Sequence, residues 1–284
     1  MSRAPIQIIG ESLNDSVPST HILYENGDTA GIQELAKFQD EKGAAYIDVN
    51  VGGHSAEFFA DIVKSVQSVV NKPLSIDTPD AALAETGLKE CDDSRGMPIL
   101  NSISPLRTEM FQLYKIKKFR PILLISEHFA DGQKRACHTV EETVEAARFL
   151  LTEAKKIGIP NSDLIFDPGI APIGTDADGN LARIIGAMKQ IHNAPEFAGV
   201  HFSVGLSNFT VMLPSKTKDG SLVKGPLESA FLTIATPLGL DFVIGSVKRN
   251  YELLAEEHPA MQVVCDCLKA VGIDSIQRVR KFYR

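Results

Sequence analysis

Three observations predict an α/β chain folded as a (β/α)8 TIM barrel. Short apolar runs alternate with helical patterns from one end of the chain to the other, and eight of them read as strands. Several of these runs stop on a carboxylate or an amide. Residues 44–51 (AAYIDVNV) carry Asp48 and Asn50, 74–77 (LSID) end on Asp77, 98–102 (PILNS) carry Asn101, 164–167 (LIFD) end on Asp167, and 204–208 (VGLSN) end on Asn208. The first run is followed by Gly10-Glu11-Ser12-Leu13-Asn14, with a single glycine. An open doubly wound sheet announces itself there with a Gly-rich phosphate turn. In a barrel the C-terminal strand ends converge on one face, so acids and amides remote in sequence share a pocket.

The elements follow in order. Residues 5–9 (PIQII) form the first strand, with a polar loop over 11–15. Asp28 caps a helix whose apolar face holds Ile32, Leu35 and Ala36, and Gly43 closes it. The second strand spans 45–49. Ser55 caps a helix marked by Phe59, Ile62, Val63, Val66 and Val70, and Asn71-Lys72-Pro73 ends it. A third strand over 74–76 leads to a helix over 79–89, and a fourth through Ile99-Leu100 to a helix over 105–117. The fifth strand is 121–125 (PILLI). Thr139 and Glu142 then form a capping box, Val140, Val144, Ala147, Leu151 and Ala154 make one face, and Gly158 with Pro160 stops the helix. The sixth strand (164–166) precedes a helix over 181–191, the seventh (200–205) a helix over 226–236, and the eighth (241–244) a largely helical segment over 251–271. Connections are short except 168–180 and 211–225, both after strand ends, where barrel enzymes lengthen loops for function. No linker or internal repeat interrupts the pattern, so residues 1–284 are expected to be one domain.

Composition narrows the function classes. Of the 284 residues 44% are hydrophobic and 23% charged, ordinary for a globular protein, and the net charge is −7. There is no dense Lys/Arg stripe, so a nucleic-acid partner is not expected. No apolar run approaches a membrane span and the first ten residues do not form a signal peptide, so a cytoplasmic protein without a membrane partner is expected. Cys91, Cys137, Cys265 and Cys267 lack a disulfide-framework pattern, which fits a reducing cytosol and buried or half-buried thiols. The seven histidines are scattered, and no bound metal is expected. The run Asp176-Ala177-Asp178-Gly179-Asn180 is no EF-hand, because its twelfth position is Ala187, and it reads as a solvated turn.

A pocket of acids and amides without clustered His or Cys suits a flat, nitrogen-rich ligand. A carboxylate can accept two parallel hydrogen bonds from an exocyclic amino group and the neighbouring ring N–H of a fused heterocycle, and amides serve its carbonyl and remaining nitrogens. Asp77, Asn101 and Asp167 are the residues for that task. Each has another reading at this stage: Asp77 as the cap of the following helix, Asp167 as a brace for the turn at Pro168, and Asn101 as a buried structural bridge.

Six runs in order, IIGESLND (8–15), YIDVNVGG (46–53), LSIDTPD (74–80), ILNSIS (99–104), IFDPGIAP (165–172) and VGLSNFT (204–210), resemble the pterin-binding methyltransferase family. The resemblance is strongest to methyltetrahydrofolate:corrinoid protein methyltransferases and fades after residue 210. It implies tetrahydrofolate or methyltetrahydrofolate as substrate, a corrinoid (cobalamin) carried by a partner protein, and a homodimer. It also implies pterin contacts from Asp77, Asn101 and Asp167, a catalytic amide at Asn208 beside N5, and supporting roles for Asp48, Asn50, Glu11 and Ser207. One departure stands out. The family follows the GLSN motif with an arginine, whereas no arginine occurs here between Asn208 and Arg249, which leaves Lys216 or Lys218 as a substitute, or a solvated loop.

The resemblance implies methyl transfer between N5 of tetrahydrofolate and cobalt. Such a reaction needs developing charge at N5 stabilised, and a neutral amide donor strengthens its hydrogen bond as N5 becomes more basic. Both directions share one transition state; the missing arginine tilts the reading toward methylcobalt to tetrahydrofolate. Two other readings remain. Dihydropteroate synthase shares the pterin pocket but carries a basic residue soon after the serine of its seventh-strand motif, where this chain has Asn208-Phe209; Arg249 with Lys248 could still hold an anion. A barrel that binds pterin without chemistry is the other.

Overall fold

Parallel pairing in strict chain order closes eight strands into a barrel: β1 (Gln7–Asn14), β2 (Tyr46–Asn50), β3 (Leu74–Asp77), β4 (Ile99–Ile103), β5 (Arg120–Leu124), β6 (Ile165–Asp167), β7 (His201–Gly205) and β8 (Leu240–Gly245). The computed structural model describes residues 2–3 and 5–284. The predicted (β/α)8 class is therefore the observed one. β8 pairs with β1 through Val243↔Ile8, and β6 with β7 through Phe202↔Phe166. Ile9, Tyr46, Ile99, Ile122, Ile165 and Phe242, one from each of six strands, pack inside the barrel. They lie toward the strand starts, so the interior is plugged below and polar groups are displaced to the C-terminal ends.

The helices form where capping and periodicity specify them. α2 (Thr29–Glu41) starts where the Asp28 side chain accepts from the Gly31 N–H, and α3 (Ala56–Gln67) where Ser55 accepts from the Phe58 N–H. α3 buries Phe59, Ile62, Val63 and Val66 as the spacing predicts. α4 (Ala81–Glu90) packs tightly on the barrel because Gly87 lacks a side chain; a Cβ there would stand 2.9 Å from Ile76. α5 (Val140–Ile157) has the capping box in full and ends at Gly158 in the left-handed conformation. α6 (Asn180–Asn193) and α8 (Lys224–Ala235) complete the outer layer near the predicted bounds.

Several expectations are corrected. Residues 11–14 are not a loop: they prolong β1 past an irregularity between Gly10 and Leu13, where buried Gln39 of α2 accepts the Ser12 N–H at 3.0 Å. A helix over Pro18–Glu25 (α1) follows, started by proline at its first turn. The segment expected as an α-helix over 105–117 is a 3-10 helix over Thr108–Lys115. Its buried residues Met110/Leu113 and Phe111/Tyr114 pair at a spacing of three, which suits that tighter winding. A third long connection follows β5 and contains an antiparallel hairpin, Glu127–Ala130 with Gln133–Ala136. The segment expected to be largely helical over 251–271 instead begins with Glu252–Leu253 pairing with Ser2–Arg3, and only then enters α9 (Pro259–Cys267). A final helix, α10 (Ile273–Tyr283), was not expected. Asp176 does not sit in a solvated turn: it is 5% exposed and accepts the Asn180 and Leu181 N–H groups at 2.8 Å each, starting α6. No helix among the described residues is long and apolar enough to cross a membrane. All four cysteines are free; Cys265 is half-buried and the others are buried.

Candidate active site

The C-terminal ends of the strands open into a cavity of about 430 Å³ whose walls include Glu11, Asp48, Asp77, Asn101, Asp167 and Asn208. Leu124, Ile170 and Ile244 supply apolar surface between them. Two of the expected residues stand differently: Asn50 and Ser207 act on wall residues through hydrogen bonds.

One wall is acidic. Asn50 at the end of β2 donates from Nδ2 to Asp77 Oδ2 at 3.0 Å, while its Oδ1 accepts the Gly52 N–H at 2.8 Å. The amide is thus locked and uses its donor on Asp77. Asp77 does not cap α4. That cap is Asp80, which accepts the Ala82 and Leu83 N–H groups at 2.8 and 2.9 Å. Asp77 is free for the cavity, and Asn101 stands beside it in register on β4. Burial pushes the Asp77 carboxyl up, opposed by the hydrogen bond from Asn50. Asp48 is 1% exposed and neither carboxyl oxygen meets a hydrogen-bond partner among the described residues. Burial first, and the charge of Asp77 second, push its pKa well above the carboxylate range. Asp48 is therefore held toward its neutral form, able to donate where its neighbour accepts.

Asp167 braces the turn at Pro168 and also lines the cavity. Its Oδ1 accepts the Gly169 N–H at 2.8 Å and its Oδ2 accepts the Ser203 hydroxyl at 3.0 Å. Burial raises its pKa to about 6, against the lowering by Gly169, Ser203 and the Arg183 charge. Buried Arg183 of α6 donates to the carbonyls of Pro168 and Gly169 at 3.1 and 3.3 Å and so fixes this turn.

The opposite wall carries the neutral amide. Asn208 lies on α7 (Leu206–Phe209), a single turn after β7, and its side chain is exposed toward the cavity. Gly205 leaves it room, since a Cβ there would stand 3.0 Å from Asn208 Nδ2. Ser207 donates from Oγ to Glu11 Oε1, tying α7 to β1. Burial pushes the Glu11 carboxyl up, with the Ser207 hydrogen bond opposing.

Sequence reasoning missed Ser203, Thr210, Arg183 and Glu228 as supports. For Glu228 a signal existed: a lone acid among Leu227, Ala230 and Phe231 of an apolar helix. Lys216 and Lys218 are both exposed, Lys216 in an isolated antiparallel bridge to Leu222 and Lys218 in the turn that the bridge closes. Arg249 is paired through its Nε with buried Glu228, 3.4 Å from Oε2. Among the described residues no group of three or more His, Cys, Asp or Glu could hold a metal ion.

The barrel and this cavity define a class: a (β/α)8 protein whose site is assembled from acids and amides at strand ends. The family model described as "Pterin binding enzyme" matches residues 14–245, and the chain belongs to that family. It is 27% identical over 251 residues to the methylcorrinoid:tetrahydrofolate methyltransferase of Eubacterium limosum, a match covering 84% of this chain and 83% of that protein. Among solved structures it is similar to the dihydropteroate synthase (DHPS) of Yersinia pestis with a pterine-sulfa conjugate, with a TM-score of 0.57, 16% identity and 92% of both chains covered. The 7,8-dihydropteroate synthase of Vibrio fischeri ES114 gives a TM-score of 0.57 and 17% identity, covering 93% of this chain and 92% of that one. At those identities the two structures speak for the fold alone.

Proposed function

We propose that this chain moves a methyl group between N5 of tetrahydrofolate and the cobalt of a corrinoid carried by a partner protein. The observation that carries the reading is a neutral amide, Asn208, that shares one cavity with Asp48, Asp77, Asn101 and Asp167. The name of the Eubacterium limosum relative supports it and favours transfer from methylcorrinoid to tetrahydrofolate.

Pterin and corrinoid are both substrates here. Asp77, Asn101 and Asp167 hold the pterin edge, with Asn50 orienting Asp77 and Ser203 orienting Asp167. Protonated Asp48 gives that wall a donor. In the favoured direction N5 gives up its proton to solvent as its electron pair forms the new N–CH3 bond, and the Co–CH3 electron pair stays on cobalt as Co(I). The transition state, common to both directions, therefore carries partial negative charge at N5. The Asn208 amide donates to it, which is worth roughly 3–4 kcal/mol by comparison with other single preorganised donors. A carboxylate in its place would repel that charge.

The dihydropteroate synthase reading is weaker on two counts. The position after Ser207 holds Asn208 and then Phe209 rather than a base. Arg249, the nearby cation, is engaged by Glu228. Action as one domain over residues 1–284, as a homodimer in the cytoplasm, belongs to the same proposal and is checked by solution mass and limited proteolysis. The reaction itself is tested by mixing the protein with methyltetrahydrofolate and cob(I)alamin, free or on a co-encoded corrinoid protein, and following the Co(I) absorption band. Enzyme-dependent loss of the band is expected. A band that persists with both cobalt sources would overturn the proposal.

A further inference from the structure

Asn208 has to point its amide at one atom, yet its own side chain is exposed and its turn is a single helical one between a strand and a long loop. The direction of the amide is therefore set by whatever fixes the turn. Two carboxylates from different elements do so. On one flank Ser207 donates to Glu11 of β1. On the other Thr210 donates from Oγ1 to Glu228 Oε1 of α8, and both partners are 1% exposed. Phe209, between them, packs on Phe231 of α8 with ring centroids 5.1 Å apart.

Glu228 is an expensive residue at that place. It interrupts an apolar helix face, and a buried carboxylate is costly unless it is paired. Arg249 on the loop after β8 supplies the charge, 3.4 Å from Glu228 Oε2. Arg249, Glu228 and Thr210 form a chain that ends on the backbone of the turn bearing Asn208. The acids that would hold the pterin lie on other strands and share no hydrogen bond with this chain.

We propose that Glu228 is a positioning residue for methyl transfer: held by Arg249, it fixes through Thr210 the turn that aims the Asn208 amide. The proposal rests on the role proposed above for Asn208. It predicts a division of labour. Disturbing the chain lowers turnover and leaves pterin affinity unchanged, because misplacing a reacting group by about 1 Å can cost about 100-fold.

The test uses Thr210→Val, which keeps shape and loses the hydroxyl, Thr210→Ser, which keeps the hydroxyl, and Glu228→Gln, which keeps an acceptor but loses the charge. Thr210→Val is expected to lower kcat about 10–100-fold, with KM for the pterin within about twofold of wild type. Thr210→Ser is expected to restore turnover, and Glu228→Gln to fall between. In the Asn208→Ala background Thr210→Val is expected to add nothing, because the group it aims is gone. Unchanged kcat in Thr210→Val, a loss confined to KM, or an undiminished effect in the Asn208→Ala background would overturn the proposal. Hydrogen exchange of residues 204–212 provides a readout without turnover. Faster exchange there in Thr210→Val, with pterin binding retained, is expected; unchanged exchange would overturn the positioning claim by itself. A wild-type protein that moves no methyl group would instead sink the function, leaving the exchange result to decide whether the chain fixes the turn.

Discussion

Replacing Asp167 by asparagine is expected to stabilise the ligand-free protein at pH 8 but not at pH 4.5, while weakening pterin binding. Burial lifts this carboxyl from its ordinary 3.8 to about 6. A folded-state pKa above the unfolded one means that the native chain holds the proton more tightly. The contribution of the protonated group is complete below about pH 4 and is lost as pH rises through 6. The full interval corresponds to about 3 kcal/mol of destabilisation at pH 8 and about 1 kcal/mol at pH 4.5. Asparagine carries no charge and removes this burden at both pH values. It also loses an acceptor, since Asp167 receives both Gly169 N–H and Ser203 O–H, at roughly 1–2 kcal/mol. The hydrogen-bond loss is common to both pH values and cancels in their comparison. Asp167→Asn should therefore gain about 2 kcal/mol more relative to wild type at pH 8 than at pH 4.5. Urea denaturation followed by circular dichroism at the two pH values measures it. A wild-type-to-variant difference that stays constant within about 0.5 kcal/mol would refute the argument that Asp167 is kept at a cost in stability. The same variant is expected to bind methyltetrahydrofolate about tenfold or more weakly, because charge-assisted hydrogen bonds are worth roughly 1.5–3 kcal/mol.

Other substitutions separate the two walls. Asn208→Ala should lower methyl transfer about 10²–10³-fold while pterin affinity, read by fluorescence titration, changes little; full turnover would rule out N5 stabilisation by this amide. Asp77→Asn should weaken pterin binding about 10–100-fold, and unchanged affinity would show that this carboxylate does not hold the ring. Gly169 has a φ of +67° and lies where a Cβ would stand 2.5 Å from Ser126 Cβ. Gly169→Ala should cost at least about 1–2 kcal/mol in a urea titration and disturb the Asp167 turn; equal stability would mean the turn relaxes freely.

What could be read from the sequence is what local rules determine. Strand ends, caps and the alternation of elements are such properties, so the barrel and the gathering of Asp48, Asp77, Asn101, Asp167 and Asn208 were legible. The choice between Asp77 and Asp80 as helix cap was not, because either side chain lies near the start of α4, and only the backbone path decides it. The hairpin of Glu127–Ala136 escaped notice because it is mostly exposed or half-buried and presents no apolar alternation. The Thr210–Glu228–Arg249 chain joins three elements by tertiary contact, which no local spacing encodes. Asp176 departs from a rule of composition instead: a Gly- and Asp-rich run is usually solvated, and here its first acid is buried to start a helix.

The most direct test of the central claim follows the methyl carbon. Methylcob(III)alamin bearing a ¹³C-labelled methyl group is incubated with tetrahydrofolate and the protein, and the product is examined by NMR. A labelled methyl on N5 of the folate is expected, formed at a rate that collapses in Asn208→Ala. Label that stays on cobalt, with free cobalamin and with the corrinoid protein alike, would contradict it.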